Sequence, residues 1–170
     1  MTVCVLIGMP GSGKSTIGRE LSRILGSEFI DTDRRIESKT GRAVSNIFIE
    51  DGESAFRELE RSTVLEALNQ SNAVVSLGGG AILNDDIKEA LKNHRVVWLE
   101  TPLSDAFHRV GLNKARPLLL QNPRATLIKL LEERTPIYKS LATLTVNTAD
   151  KSVKEVALEV TGLLEKEVKS

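Results

Sequence analysis

Net charge is the first thing the 170-residue sequence lacks, with 23 Lys and Arg standing against 23 Asp and Glu. That balance argues against a general attraction to nucleic acid or to an anionic membrane, so any bound anion must be caught by a local cluster. Cysteine is nearly missing too. Cys4 is the only one; it lies inside an apolar run without a disulfide partner and reads as a buried, inert thiol. The two histidines, His94 and His108, show no metal-ligand spacing, which argues against a zinc or iron site. No apolar stretch approaches the ~18 residues that a membrane crossing needs. A strand-like run starts almost at Met1, leaving no room for a signal or transit peptide. These shortages predict a cytoplasmic protein in a reducing compartment.

What is present is ordinary for one soluble domain spanning residues 1–170: 41% apolar and 27% charged residues, enough to bury a core without covalent staples. Short apolar runs at 3–7, 28–31, 73–77, 95–99 and 143–146 alternate with longer helical patterns, the order of a parallel sheet covered by helices. The first, third and fourth runs lack polar alternation, as central strands buried on both faces do. Ile17, Leu21, Ile24 and Leu25 share one helix face, and Gly26 offers a stop. Val153, Val156, Ala157, Val160, Leu163 and Leu164 repeat at helical spacing behind Ser152 and Glu155, which are spaced as a capping box. The stretch 111–124, with two prolines and few periodic apolar positions, reads as a mobile loop that could act as a lid.

Residues 8–15, Gly8-Met9-Pro10-Gly11-Ser12-Gly13-Lys14-Ser15, match G-x-x-x-x-G-K-[ST] in full. The glycines let successive N–H groups turn into one concavity, and the helix that follows presents its N-terminus to an anion. Lys14 places a compact charge on the β/γ-phosphates of a nucleotide, and the Ser15 hydroxyl can ligate Mg²⁺. Two negative findings narrow the class. Asn113-Lys114-Ala115-Arg116 lacks the final Asp of a guanine-reading N-K-x-D, and no D-x-x-G occurs. The third strand runs through Val74-Val75-Ser76-Leu77 into Gly78-Gly79-Gly80 rather than into an acidic residue. That turn is either a plain tight turn or a set of exposed N–H groups where a second substrate sits.

The second strand ends in Asp31-Thr32-Asp33, at the end of a parallel strand where ligand crevices form. One carboxylate can face a hydrated metal (Asp31) and the other an acceptor hydroxyl (Asp33). The alternative is that Asp33 caps a helix. In Gly52-Glu53-Ser54-Ala55-Phe56-Arg57-Glu58-Leu59-Glu60, the residues Glu53, Phe56, Arg57 and Glu60 share a helical face. Arg57 is then either a carboxylate binder aimed by its acidic neighbour or half of a solvated ion pair. Arg116, just before Pro117, and Arg134, two residues before Pro136, complete a candidate anion trap.

Taken together, GMPGSGKST, DTD, GESAFRELE, SLGGGA, ARPLL and RTPIY, in this order and spacing, closely resemble the shikimate kinase family, from about Val3 to about Lys151. The resemblance implies a P-loop three-layer α/β/α fold with a five-stranded parallel sheet in the order 2-3-1-4-5. It also implies transfer of the ATP γ-phosphate to the 3-hydroxyl of shikimate, on the way to chorismate and the aromatic amino acids. By position, Asp33 would bind and activate that hydroxyl, with Lys14 and the lid residue Arg116 as its catalytic companions. Gly11, Ser12, Gly13, Lys14, Ser15, Thr16, Arg109, Arg116 and Lys151 would hold ATP, with Mg²⁺ on Ser15 and, through water, on Asp31. Arg57 and Arg134 would clamp the shikimate carboxylate. Gly78, Gly79 and Gly80 would line the ring site, and Phe48, Phe56 and Glu60 would shape it within a substrate-binding helical segment at 33–61. A monomer is expected.

Overall fold

The computed structural model describes residues 2–112 and 122–170. Five strands, β1 (Cys4–Ile7), β2 (Glu28–Asp31), β3 (Ala73–Ser76), β4 (Val96–Glu100) and β5 (Leu144–Asn147), form one sheet in the order β2-β3-β1-β4-β5. Each neighbouring pair is parallel. The strand boundaries differ from the sequence expectation by one residue at most at either end, within the usual fraying of element ends.

The unbroken apolar runs are explained by burial on both faces. In β1, Val5 and Ile7 enter one core while Cys4 and Leu6 enter the other; Val96 and Trp98 of β4 oppose Val97 and Leu99 in the same way. The second core is closed by helix α1 (Lys14–Leu25) and helix α8 (Val153–Val168), through Ile17, Leu21, Val156, Val160 and Leu164. Gly26 ends α1 at φ 62°, and Ser152 with Glu155 forms the expected capping box of α8. The first core is covered by α4 (Glu53–Leu68), α5 (Asp85–Leu91), α6 (Leu103–Leu112) and α7 (Pro123–Leu141), with a 3₁₀ turn at Ala81–Leu83. This is the α/β/α sandwich expected from the alternating pattern.

Two further helices, α2 (Thr32–Thr40) and α3 (Val44–Asp51), lean on α4 rather than on the sheet. They build a small third core from Ile36, Ile47 and Phe56. The stretch expected to be a lid, 111–124, lies mostly outside the described residues; 111–112 close α6 and 123–124 open α7. Among the described residues no helix is long and apolar enough to cross a membrane.

Candidate active site

β1 and β3 are neighbours at the middle of the sheet, and the chain leaves them toward opposite sides. Their carboxyl ends therefore open into a crevice, the place where open α/β sheets bind ligands. Out of β1 comes the 8–15 loop. Gly13 adopts φ 84°, a left-handed value that costs glycine little, and α1 starts at the next residue with no side chain capping it and no acidic residue in its first turn. The first N–H groups of α1 consequently face the cleft with their dipole intact. Lys14 is buried, and its Nζ donates to the carbonyls of Gly8 (2.8 Å) and Met9 (3.0 Å) and to Ser12 Oγ (3.2 Å). These bonds fix the ammonium inside the loop that it serves.

Ser15 Oγ donates to Asp31 Oδ2 at 2.6 Å, joining the first turn of α1 to the end of β2. The other oxygen of Asp31 accepts from the N–H of Arg34 at 3.3 Å, so the N-cap of α2 is Asp31. This decides between the two readings of Asp33. It does not cap; it lies inside the first turn of α2 with its carboxylate against the 78–80 turn. A Cβ placed on Gly78 would lie 2.9 Å from Asp33 Oδ1 and 3.1 Å from Glu60 Oε2. The two carboxylates are thus within roughly 6 Å of each other, close enough for Asp33 to disfavour ionisation of Glu60.

Arg57 faces the same turn. Its Nη1 donates to Glu60 Oε1 at 2.7 Å, and Nη2 reaches Glu53 Oε1 at 3.5 Å. The guanidinium also lies over the rings of Phe48 (5.7 Å) and Phe56 (5.4 Å), whose centroids are 4.4 Å apart. The pair is not the solvated bridge that was the alternative reading, because Glu60 is only 2% exposed. A Cβ on Gly80 would come within 2.5 Å of Arg57 Nη2, and one on Gly79 within 3.3 Å of Arg134 Nη1. Three glycines in succession therefore let two arginines and two carboxylates close on the backbone, and the plain tight turn is the weaker reading.

Burial pushes the Glu60 carboxyl up to about 7. Arg57 pulls against that shift, Asp33 adds to it, and Arg134 opposes it. The group is poised near neutrality although a guanidinium touches it.

On the far side of the cradle, Arg109 Nη1 donates to the carbonyl of Gly11 at 3.1 Å. Arg109 lines both the main cleft, about 500 Å³, and a smaller pocket of about 170 Å³ reached by Thr16 and Lys151. The main cleft, unlike the smaller pocket, falls within the usual size of small-molecule sites. Lys151 Nζ pairs with Glu159 at 2.8 Å. Arg116 lies outside the described residues.

Sequence reasoning quoted Tyr138 within RTPIY but gave it no role. Its hydroxyl donates to the Gly79 carbonyl at 2.6 Å, from a fully buried position one helical turn beyond Arg134. The spacing in Arg134-Thr135-Pro136-Ile137-Tyr138 puts both side chains on one face of α7. Thr32 was likewise given no role: its Oγ1 donates to the carbonyl of Ser76 at 3.2 Å, tying the start of α2 to the end of β3.

Comparison with known proteins agrees with this geometry. The family model described as shikimate kinase matches residues 10–165. The shikimate kinase of Thermobifida fusca is 57% identical over 155 residues, 91% of this chain and 90% of that protein. The solved structure of the shikimate kinase from Acinetobacter baumannii in complex with shikimate superposes with a TM-score of 0.94 at 37% identity, covering 96% of this chain and 93% of that one. A gluconokinase from Sinorhizobium meliloti shares the fold alone, with a TM-score of 0.64 at 19% identity over 98% of this chain and 93% of that one. With a turn built for two arginines beside a phosphate loop, and relatives more than half identical along nearly the whole length, the chain belongs to the shikimate kinase family.

Proposed function

We propose that the protein transfers the γ-phosphate of ATP to the 3-hydroxyl of shikimate, giving shikimate 3-phosphate and ADP. One observation carries this reading: Arg57 and Arg134 from two helices, with Asp33 from a third, converge on the 78–80 turn beside the cradle of Lys14. A compact molecule carrying one carboxylate and several hydroxyls matches that set. The guanidiniums take the carboxylate, the turn approaches the ring, and Asp33 receives the hydroxyl nearest the phosphates.

Phosphoryl transfer leaves the protein little covalent work, so position and charge dominate. Lys14 and the N–H groups of α1 meet the phosphate oxygens. Arg109 flanks the cradle, and we assign the smaller pocket, with Thr16 and Lys151, to the base of ATP. Arg116 is assigned the lid role that the resemblance gives it.

Ser15 and Asp31 suit a hard cation. They supply only oxygen, and a hydroxyl that donates to Asp31 keeps its lone pairs for a metal. Among the described residues no group of three or more His, Cys, Asp or Glu could hold a metal. That fits Mg²⁺, which relies on water and phosphates more than on a protein cage. When bound, Mg²⁺ neutralises charge on the β- and γ-phosphates.

The deciding experiment measures ADP release by a coupled assay with shikimate, gluconate and nucleoside monophosphates offered separately. Turnover with shikimate alone is expected; turnover with gluconate or a nucleotide in its place would overturn the assignment. The clamp has its own test. Removing one partner of a buried charge-assisted pair costs roughly 2–5 kcal/mol, so Arg134→Ala should raise KM for shikimate by roughly 30-fold or more. KM for ATP should barely move, and an acceptor without the carboxylate should be indifferent to the change. A KM for shikimate that stays at its wild-type value would remove Arg134 from the clamp.

A further inference from the structure

The substrate side of the cleft is balanced in charge by its own residues. Arg57 and Arg134 supply two positive charges, Asp33 and Glu60 two negative ones, all meeting at the 78–80 turn. The substrate proposed above brings a third carboxylate into this group. Among the described residues, Arg34 and Glu37 of α2 line the same cleft with opposite charges, and Lys14 is turned to the carbonyls of Gly8 and Met9. The carboxylates of α3, Glu50 and Asp51, are held by Arg42; Lys39 of α2 is held by Glu66; Asp86 of α5 is held by Arg61. The 3₁₀ turn at Ala81–Leu83 carries no charge. The nearest outer group, Glu53, is itself acidic.

We propose that when the substrate carboxylate takes the guanidiniums of Arg57 and Arg134, Glu60 takes up a proton from solvent, so that substrate binding is coupled to protonation of this one buried side chain. The inference rests on the function proposed above and deepens it. Glu60 is the group that yields because its whole side chain is withdrawn from water, 2% exposed, whereas Asp33 buries Oδ1 against the Gly78 turn but still lines the open cleft. A buried carboxylate stays ionised only while its cation is undivided. Arg57 Nη1 gives Glu60 its short bond, and Arg57 is also the guanidinium that lies on Gly80 and faces the ring site. Sharing Arg57 with a second carboxylate weakens its hold on the first. The step balances as one carboxylate plus one proton from buffer giving one neutral carboxylic acid. Once neutral, Glu60 ceases to be a like charge beside Asp33.

The sign follows from linkage. Burial already holds the free carboxyl at about 7, and binding raises it further. Well below that value Glu60 is protonated beforehand and no uptake occurs. Above it, uptake grows, and shikimate affinity falls by up to about tenfold per pH unit until the bound-state value is passed.

Titrating shikimate calorimetrically into the full chain near pH 7.5, in buffers of widely different ionisation heat, measures the coupling. A fractional uptake on the order of half a proton per shikimate is expected. In Glu60→Gln the binding heat should become independent of buffer. Should that variant fail to fold, infrared difference spectra of the wild type on binding shikimate replace it. The carbonyl stretch of a protonated carboxylic acid should appear, and labelling the shikimate carboxyl carbon should leave it unshifted. Shikimate heat without buffer dependence, uptake that persists in Glu60→Gln, or an infrared band that is missing or shifts with the label would each overturn the coupling and leave the kinase reading standing. No shikimate heat in any buffer, together with no turnover of shikimate in the coupled assay, would overturn both.

Discussion

Lys14→Ala is expected to lower kcat by at least about 10³-fold while leaving a folded protein. Removing a single neutral donor from a preorganised anion site costs on the order of 10²–10³ in rate. Lys14 contributes more than such a donor, because charge-assisted bonds are roughly twice as strong as neutral ones. Its position supports a large effect. The ammonium is buried and held by the carbonyls of Gly8 and Met9 and by Ser12 Oγ, so it is aimed before any phosphate arrives. Phosphoryl transfer spreads charge over the equatorial oxygens, and a fixed cation there needs no reorganisation during the reaction. The same bonds mean that the substitution strips a donor from two carbonyls, at a cost of about 1–3 kcal/mol if water does not reach them. Thermal unfolding followed by circular dichroism separates that loss from the catalytic one. Lys14→Arg should not restore the rate, since a planar fork cannot occupy a point-charge site walled by backbone. Turnover within tenfold of wild type in a folded Lys14→Ala would show that the loop does not hold the reacting phosphates.

Much of this arrangement is legible without coordinates, for local reasons. The 8–15 loop is a contiguous stretch whose chemistry is set by neighbours in sequence, and the unbroken apolar strands announce burial on both faces. Strand order is different. Which strands lie side by side depends on long-range packing, and only the family resemblance supplied β2-β3-β1-β4-β5. The Asp31-Thr32-Asp33 pattern left open whether Asp33 caps a helix; the answer turns on β2 extending through Asp31, which takes the cap itself. Tyr138 stood within the RTPIY motif without a role of its own, and Pro136 two residues before it is of a type that normally ends a helix. Here α7 continues through it, and Arg134 and Tyr138 share a face. Glu60 was legible as a partner of Arg57 by its spacing on α4. Its poise near neutrality was not, because that depends on burial, on Asp33 from α2 and on Arg134 from α7.

Asp33→Asn should separate chemistry from architecture. The helix cap belongs to Asp31, so the substitution should change stability by less than about 1 kcal/mol, the typical worth of a cap. A fall in kcat of roughly 10²–10⁴ is expected, the range for a positioned acid–base group, with ATP affinity nearly unchanged. Magnitude also limits what Asp33 does. An alcohol is about as weak an acid as water, near pKa 15.7, whereas an ordinary Asp has a pKa of about 3.9. Removing the proton before attack would be uphill by ~12 units, or ~16 kcal/mol. In the proposed reaction Asp33 would therefore orient the hydroxyl and accept its proton late, as the new bond to phosphorus acidifies the oxygen. Asparagine keeps the shape but can neither carry the negative charge nor take the proton, so the loss should fall on kcat rather than on either KM. Single-turnover rates at saturating ATP and shikimate, beside the melting temperature of each protein, make the comparison. A matched drop in rate and stability would mean that Asp33 holds α2 in place and that another group receives the proton.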